Sequence, residues 1–217
     1  MSVRYDVAIM ARSDVQLMLE AKAGDDASFE LLLQRYRTPL VSFLYRMVRD
    51  SATAEDLSQE VFIRVYRARA KYAPSAKFTT WLFRIATNLA LNRIRDTRHR
   101  LLEISLDAPA EEHEPSMELP AREMRVDQLM LERDRAAMIR NAVESLPDKQ
   151  RIAVLLHKYE DMDYVEIAKV LECSEAALKS LLFRAYETLR VQLAPLVAGA
   201  ASPAPAETAG TGKGRPS

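Results

Sequence analysis

Apolar positions recur with a period of about 3.6 residues through most of the chain, the mark of helices with one buried face. Asp14 can cap a first helix running to Ala23, and Gly24 with Asp25 and Asp26 supplies a stop and a new start. From Ala27 to Val48 the spacing turns Phe29, Leu32, Leu33, Tyr36, Leu40, Phe43, Leu44 and Met47 toward a core, and Pro39 is expected to kink or split that helix. A turn over Asp50–Thr53 leads into a helix that reaches about Lys71, with Leu57, Val61, Val65 and Ala68 inward, backed by Phe62 and Tyr66. A Pro-containing loop, YAPSAK, then opens a helix from Phe78 to Arg100 whose inner stripe is Phe78, Leu82, Ile85, Ala86 and Leu89.

The periodicity fails from about His99 to Pro120, where Pro109, Pro115 and Pro120 recur among acids. It resumes near Ala121 in a helix ending before Pro147, followed by one with Ile152, Leu155 and Leu156 inward. Asp163 and Glu166 have the spacing of a capping box, which starts a short helix lined by Ile167, Val170 and Leu171. After a turn at Glu172–Ser174, Ser174 can cap a longer helix with Leu178, Leu182, Ala185 and Leu189 inward. A short helix, a tight turn and a longer basic helix are the proportions of a helix-turn-helix.

The pattern predicts an all-α fold of two small helical domains joined by a flexible acidic linker. The expected boundaries are a lead-in over 1–24, a first module over 25–98, the linker over 99–133, a second module over 134–195 and a disordered tail over 196–217. Composition agrees. Four of the five glycines lie at or beyond Gly199, so the body holds only Gly24, too few for sheets with tight hairpins. The single Cys173 excludes a disulfide framework and points to a reducing compartment. No apolar run suits a membrane span and no start resembles a signal peptide, so a cytoplasmic protein without membrane insertion is expected. His99, His113 and His157 show no metal-ligand spacing, and no acid and base are paired for catalysis, so no metal, no cofactor and no enzyme activity are expected.

Charge changes the picture through its placement. Net charge is +0, yet Lys77, Arg84, Arg93, Arg95, Arg98 and Arg100 face only Asp96, whereas 103–134 holds ten acids against three arginines. A basic block followed by an acidic one suggests a polyanion-binding surface with a neighbour that can screen it.

Three outward faces carry candidate chemistry. On the Phe78–Arg100 helix, about 100° per residue puts Trp81 beside Arg84, Asn88, Asn92 and Arg95, an aromatic ring among amides and guanidiniums. Such groups stack on unpaired bases, pair with base edges and hold phosphate, and the preceding loop can form a pocket for an extruded base. A solvated polar face with Trp81 tucked at its edge is the plain alternative. The preceding helix shows Asp56, Gln59, Glu60, Ile63 and Arg67, either an ordinary charged face or a protein-docking surface with Ile63 as its apolar contact. On the last helix Lys179, Ser180, Phe183 and Arg184 cluster where a recognition helix meets the major groove, although helical hairpins of this size are common.

With AEDLSQEVFIRVYR and FTTWLFRIATNLALNRIR in the first module and SLPDKQRIAVLLHKYEDMDYVEIAKVLECSEAALKSLLFRAYETLR in the second, the chain resembles a group IV (extracytoplasmic-function) sigma factor of bacterial RNA polymerase from about Asp25 to Leu193. The resemblance implies as partners core RNA polymerase, through its β′ clamp helices and β subunit, and promoter DNA. It implies that Asp56, Leu57, Gln59, Glu60, Phe62 and Ile63 dock on the clamp helices. Lys77, Trp81, Arg84, Asn88 and Asn92 would read and help open the minus-ten element, and His157, Lys179, Ser180, Phe183 and Arg184 would contact the minus-thirty-five element. Members of the family are commonly restrained by an anti-sigma factor, a further partner the resemblance admits.

The chain departs from the family pattern where a Gly-Thr pair usually opens the recognition helix and an Arg usually follows: Ala176, Ala177 and Leu181 stand there. His157 and Tyr186 replace frequent arginines, so weaker, less salt-sensitive DNA contact and an unusual minus-thirty-five sequence are expected. Two other readings compete: a stand-alone dimeric helix-turn-helix regulator, and a sigma fold that has lost promoter recognition.

Overall fold

A computed structural model describes residues 12–104 and 126–200. Every regular element among these is helical. They are α1 (Asp14–Lys22), α2 (Asp26–Val48), α3 (Ser51–Ala68), α4 (Phe78–Ile104), α5 (Val126–Glu144), α6 (Asp148–Tyr159), α7 (Tyr164–Val170) and α8 (Glu175–Ala200). A short 3-10 turn, Arg69–Lys71, closes α3.

The caps follow local chemistry with one exchange. Ser13, not the expected Asp14, caps α1 by accepting from the Gln16 N–H at 3.2 Å. Asp14 is instead held by the Arg35 and Tyr36 side chains of α2. Gly24, at φ +103°, reverses the chain in a conformation that L side chains rarely adopt. Asp25 then caps α2, and Asp50 caps α3 through the Thr53 N–H at 2.6 Å. The predicted capping box is present: Asp163 accepts from the Glu166 N–H at 2.8 Å, and Glu166 accepts from the Asp163 N–H at 3.0 Å.

Several expected boundaries move. The lead-in is partly structural, because Leu17, Met18 and Ala21 of α1 are buried in the core. Pro39 does not split α2; Leu32, Leu40, Phe43, Leu44 and Met47 on either side of it pack into one core and hold the helix together. Both ends of the predicted linker are helical, since α4 runs to Ile104 and α5 starts at Val126. The rest, 105–125, lies outside the described residues, as does 201–217 of the predicted tail. Pro195 sits inside α8, which continues to Ala200.

The first module packs α1 to α4 around Leu32, Leu40, Phe43, Leu44, Val61, Val65, Phe78 and Leu82. Phe43 meets Phe83 edge-on at 5.3 Å. Phe83, Thr87 and Ala90, outside the predicted inner stripe, are also buried, because α4 is packed by α2, α3 and α7 rather than on one side. The second module buries Ile152, Leu155, Leu156, Ile167, Leu178, Leu182 and Ala185. Removing one such Leu side chain should cost about 2–5 kcal/mol.

The modules meet along a seam that the sequence did not announce. Arg49, a non-glycine residue at φ 64° that ends α2, pairs with Glu144 of α5. Arg98 lies 3.0 Å from Asp148 of α6, and Lys77 lies 3.0 Å from Glu166 of α7. The Arg46 guanidinium sits 4.2 Å over the Tyr159 ring. Next to it, burial pushes the Glu160 carboxyl up to about 7, outweighing the opposing pull of Arg46, while Asp161 adds to the rise. From α2, Tyr36 also senses this carboxylate.

A sign follows for stability. The Glu160 carboxyl keeps its proton in the fold up to about 7 but loses it from an ordinary value of 4.5 when unfolded. Its contribution is therefore complete below that window and is lost as pH rises through 7. We expect the Glu160 share of stability to fall between about pH 5 and about pH 8 by on the order of 1 kcal/mol, or ~2–4 °C in Tm, after solvent screening, while His157, held below its ordinary pKa, works in the opposite sense over the same range. Glu160→Gln should flatten that slope in a calorimetric pH series; an unchanged slope would remove Glu160 as its cause.

Candidate nucleic-acid interface

The loop after α3 and the first turns of α4 enclose an open cleft of about 480 Å³. Lys71, Tyr72, Ser75, Thr80, Trp81 and Arg84 line it, and Lys169 of α7 enters from the second module. Helical geometry explains the placement: Phe78 and Leu82 are drawn into the core, which turns Trp81 and Arg84 toward the loop. The indole is half-buried, with its ring 5.3 Å from Tyr72 and 6.2 Å from Phe78. Trp81 is thus both tucked at the edge of the core and open on one side to the cleft. Arg84, Asn88 and Asn92 continue the exposed stripe along α4, and the Asn92 amide oxygen accepts from Arg95.

Sequence reasoning named the loop but not Tyr72 or Thr80. Tyr72 is buried with its ring against Trp81, and an aromatic residue beside a loop proline was the available signal. The Thr80 hydroxyl is buried without a hydrogen-bond partner among the described residues. Nothing in the sequence marked Lys169, which reaches the cleft only through the packing of α7 on α4.

A second concavity, a mainly apolar groove of about 520 Å³, runs between α2 and α3. Phe29, Leu33, Val41, Phe62, Ile63 and Tyr66 line it, with Arg37, Glu55, Gln59 and Arg67 at its margins. Ile63 is 43% exposed at its lip, Asp56 and Gln59 are exposed beside it, and Glu60 is tied to Arg64 at 2.7 Å. Leu57 is half-buried and Phe62 buried, so those two support the face more than they present it. Phe29 and Leu33 were expected in the core; they also form the far wall of this groove.

In the second module Lys179, Ser180, Phe183 and Arg184 all stand exposed on α8, with Phe183 at 68%. The Ser180 hydroxyl donates to the Ala176 carbonyl at 3.1 Å and Arg184 Nε to the Ser180 carbonyl at 3.3 Å, so Lys179 and Phe183 project most freely. An exposed aromatic ring there suits a thymine methyl. His157 is placed differently: its Nδ1 is hydrogen-bonded to the Tyr186 hydroxyl at 2.7 Å and its ring packs on Tyr164. Partial burial, then the neighbouring Lys158, holds its pKa below the usual imidazole value. Both effects favour the neutral ring over the imidazolium that would pair with phosphate. Both positions where the family often has arginine are occupied by residues bonded to each other.

Comparison with known proteins fits this geometry. The Sigma-70 region 2 model matches residues 32–100, and the Sigma-70 region 4 model matches residues 136–189. The chain is 32% identical to the RNA polymerase sigma-H factor of Pseudomonas aeruginosa over 192 residues, 85% of this chain and 95% of that one. It is 31% identical to the ECF RNA polymerase sigma-E factor of Escherichia coli K12 over 185 residues, 85% of this chain and 96% of that one. Its fold is similar to CnrH, solved with the cytosolic domain of CnrY, at a TM-score of 0.58 and 20% identity, covering 88% of this chain and 100% of that one. It is also similar to the sigma factor RpoE of Bartonella quintana, solved with the anti-sigma factor NepR, at a TM-score of 0.61 and 22% identity over 76% and 96%. Two family regions in order, in the two modules that the fold builds separately, make this chain a member of the extracytoplasmic-function group of the sigma-70 family of sigma factors.

Proposed function

We propose that the chain binds core RNA polymerase through the α2–α3 groove and directs it to promoters by two DNA contacts. The observation that carries this reading is the pairing of an apolar groove rimmed by Ile63 with a cationic, aromatic cleft at Trp81 on the same module. The groove suits a helical protein partner, since its walls are apolar and its rim carries Arg37, Glu55 and Arg67 to set orientation. The clamp helices of the β′ subunit are the occupant that family membership suggests.

The cleft suits a single unpaired base. Trp81 offers the free part of its ring for stacking, and Lys71, Lys77 and Arg84 offer charge for the flanking phosphates. Asn88 presents an amide for a base edge one to two turns further along α4. Stacking and pairing together offset the few kcal/mol needed to unstack a base from the non-template strand. On α8, Lys179 and Phe183 would meet the minus-thirty-five element, with Ser180 and Arg184 beside them. The chain itself makes and breaks no bond; RNA synthesis belongs to the polymerase.

The stand-alone regulator reading loses its footing, because it leaves the whole first module, 32–100, to an unrelated task. An anti-sigma partner, of the kind solved with RpoE for that protein, would have to cover the groove at Ile63 or the cleft at Trp81 to silence this chain.

The test is reconstitution. Added to core polymerase and genomic DNA, the chain should direct transcripts from a small set of start sites and co-purify with the core. Alone it should give no promoter footprint at nanomolar concentration, in keeping with its net charge of +0. Tight footprinting without core would favour the stand-alone regulator.

A further inference from the structure

Helix α1 lies outside the residues that the Sigma-70 region 2 model matches, 32–100, yet both of its ends lead to the Trp81 cleft. At its C-terminal end, Lys22 Nζ donates to the Tyr72 carbonyl at 2.8 Å. Tyr72 opens the loop that walls the cleft, and its own N–H donates to the Arg69 carbonyl at 3.1 Å, so its backbone is tied on both sides. The Tyr72 ring is buried and backs the Trp81 indole at 5.3 Å. At the other end of α1, Asp14 is held by Tyr36, whose ring lies 5.5 Å from Phe78, itself 6.2 Å from Trp81. Among the described residues, Lys22 is the only side chain of the first module that hydrogen-bonds to the loop over 72–77.

We propose that Lys22 is a positioning residue for base capture. By fixing the Tyr72 carbonyl it sets the ring on which the Trp81 indole rests, and so the height and tilt at which that indole meets an extruded base. Helix α1 then belongs to the strand-binding apparatus although it touches no DNA itself. This rests on the reading of the Trp81 cleft as the base-binding site.

The loop has few supports of its own. Its one described internal backbone bond joins the Ser75 N–H to the Ala73 carbonyl at 2.8 Å. The Tyr72 hydroxyl is buried without a hydrogen-bond partner among the described residues, so nothing polar fixes the ring from its far end. Lys22 holds the near end, with an ammonium donor whose bond to a carbonyl is charge-assisted. Its support is rigid, because Leu17, Met18 and Ala21 fasten α1 to the core. Stacking on a ring already held in place spares the ordering that a loose ring would undergo on binding, and small misplacements of a bound group are felt strongly.

Lys22 is exposed, so Lys22→Met removes the donor while Tm and affinity for core polymerase should match wild type. The probe is the non-template strand of a promoter mapped by reconstitution, bound by the holoenzyme as a single-stranded oligonucleotide, with an abasic site placed at each minus-ten position in turn. For wild type, one position should show a strong preference for the base over the abasic site. Lys22→Met should lower that ratio by about ten-fold at that position and leave the affinity for the abasic oligonucleotide unchanged. Lys22→Arg keeps a cationic donor and should restore most of the ratio. A wild-type ratio in Lys22→Met, where Trp81→Ala abolishes it, would overturn the positioning role and leave the cleft as the base site. A fall of equal size on every oligonucleotide, abasic ones included, would overturn it as well, because Lys22 would then act through charge or general disruption instead of through Trp81. A ratio that Trp81→Ala does not change would remove the reading of the cleft itself, and the role of Lys22 with it.

Discussion

Replacing Ile63 with Glu should abolish transcription by reconstituted polymerase while leaving the chain folded. Ile63 is 43% exposed at the lip of a groove walled by Phe29, Leu33, Val41 and Phe62, so the free protein can hydrate a carboxylate there. Surface changes of this sort usually stay within about 0.5 kcal/mol of the wild-type stability. Once a partner helix covers the groove, the same carboxylate is buried against apolar walls without a mate. An unpaired polar or charged group so placed costs several kcal/mol, and each 1.4 kcal/mol is about ten-fold in affinity. The expected loss is about 100-fold or more in binding to core polymerase, measured by fluorescence or calorimetric titration, with an unchanged circular dichroism spectrum and Tm. Wild-type affinity in the variant would move the docking site off this groove.

The double substitution Trp81→Ala with Asn88→Ala should leave core binding intact and remove promoter opening. Base stacking on an aromatic ring is worth about 1–3 kcal/mol, and a well-placed amide pair with a base edge about as much again. Run-off transcription from a duplex promoter should therefore fall by roughly two to three orders of magnitude. On a template with the minus-ten region already unpaired the loss should be smaller, because the cost of opening is no longer demanded of these two residues. Asn88→Ala alone separates a DNA effect from a folding one, since Asn88 is exposed whereas Trp81 is half-buried against Tyr72 and Phe78. Undiminished run-off from the duplex would leave a sigma fold that has lost promoter recognition, one of the readings the sequence permits.

What could be read from the sequence was what depends on near neighbours. The capping box at Asp163 and Glu166 spans three residues, and both of its hydrogen bonds form as the spacing implied. Trp81, Arg84, Asn88 and Asn92 share one side of α4 because helical phase is local, and Ile63 emerges on the outer side of α3 for the same reason. Features set by distant residues stayed hidden. Phe83, Thr87 and Ala90 gave no sign of burial, because the helices that cover them come from elsewhere in the chain. His157 and Tyr186 were read as two separate lost cations, yet they lie 29 residues apart in sequence and are bonded in the fold. Glu166 was assigned one task, capping, and performs a second against Lys77 that no local pattern encodes. The end of α4 was misjudged because proline and acid content downstream suggested a linker from 99, whereas the last helical turns carry few helix breakers of their own and continue to Ile104.

That unbroken α4 gives the reading face a phase. At about 1.5 Å per residue its 27 residues form a rod about 40 Å long, and every position on it is turned about 100° from the next. Phe78, Leu82, Ala86 and Leu89 fasten one side of this rod to the core, and the same screw then dictates the bearing of Trp81, Asn88 and Asn92. A single extra residue after Ala90 would leave the core fastening N-terminal to it undisturbed and swing Asn92 and Arg95 a quarter-turn or more out of line with Trp81 and Asn88. On the proposed reading, the helix can thus exchange letters along its outer face to suit a different promoter, but it cannot gain or lose one between them.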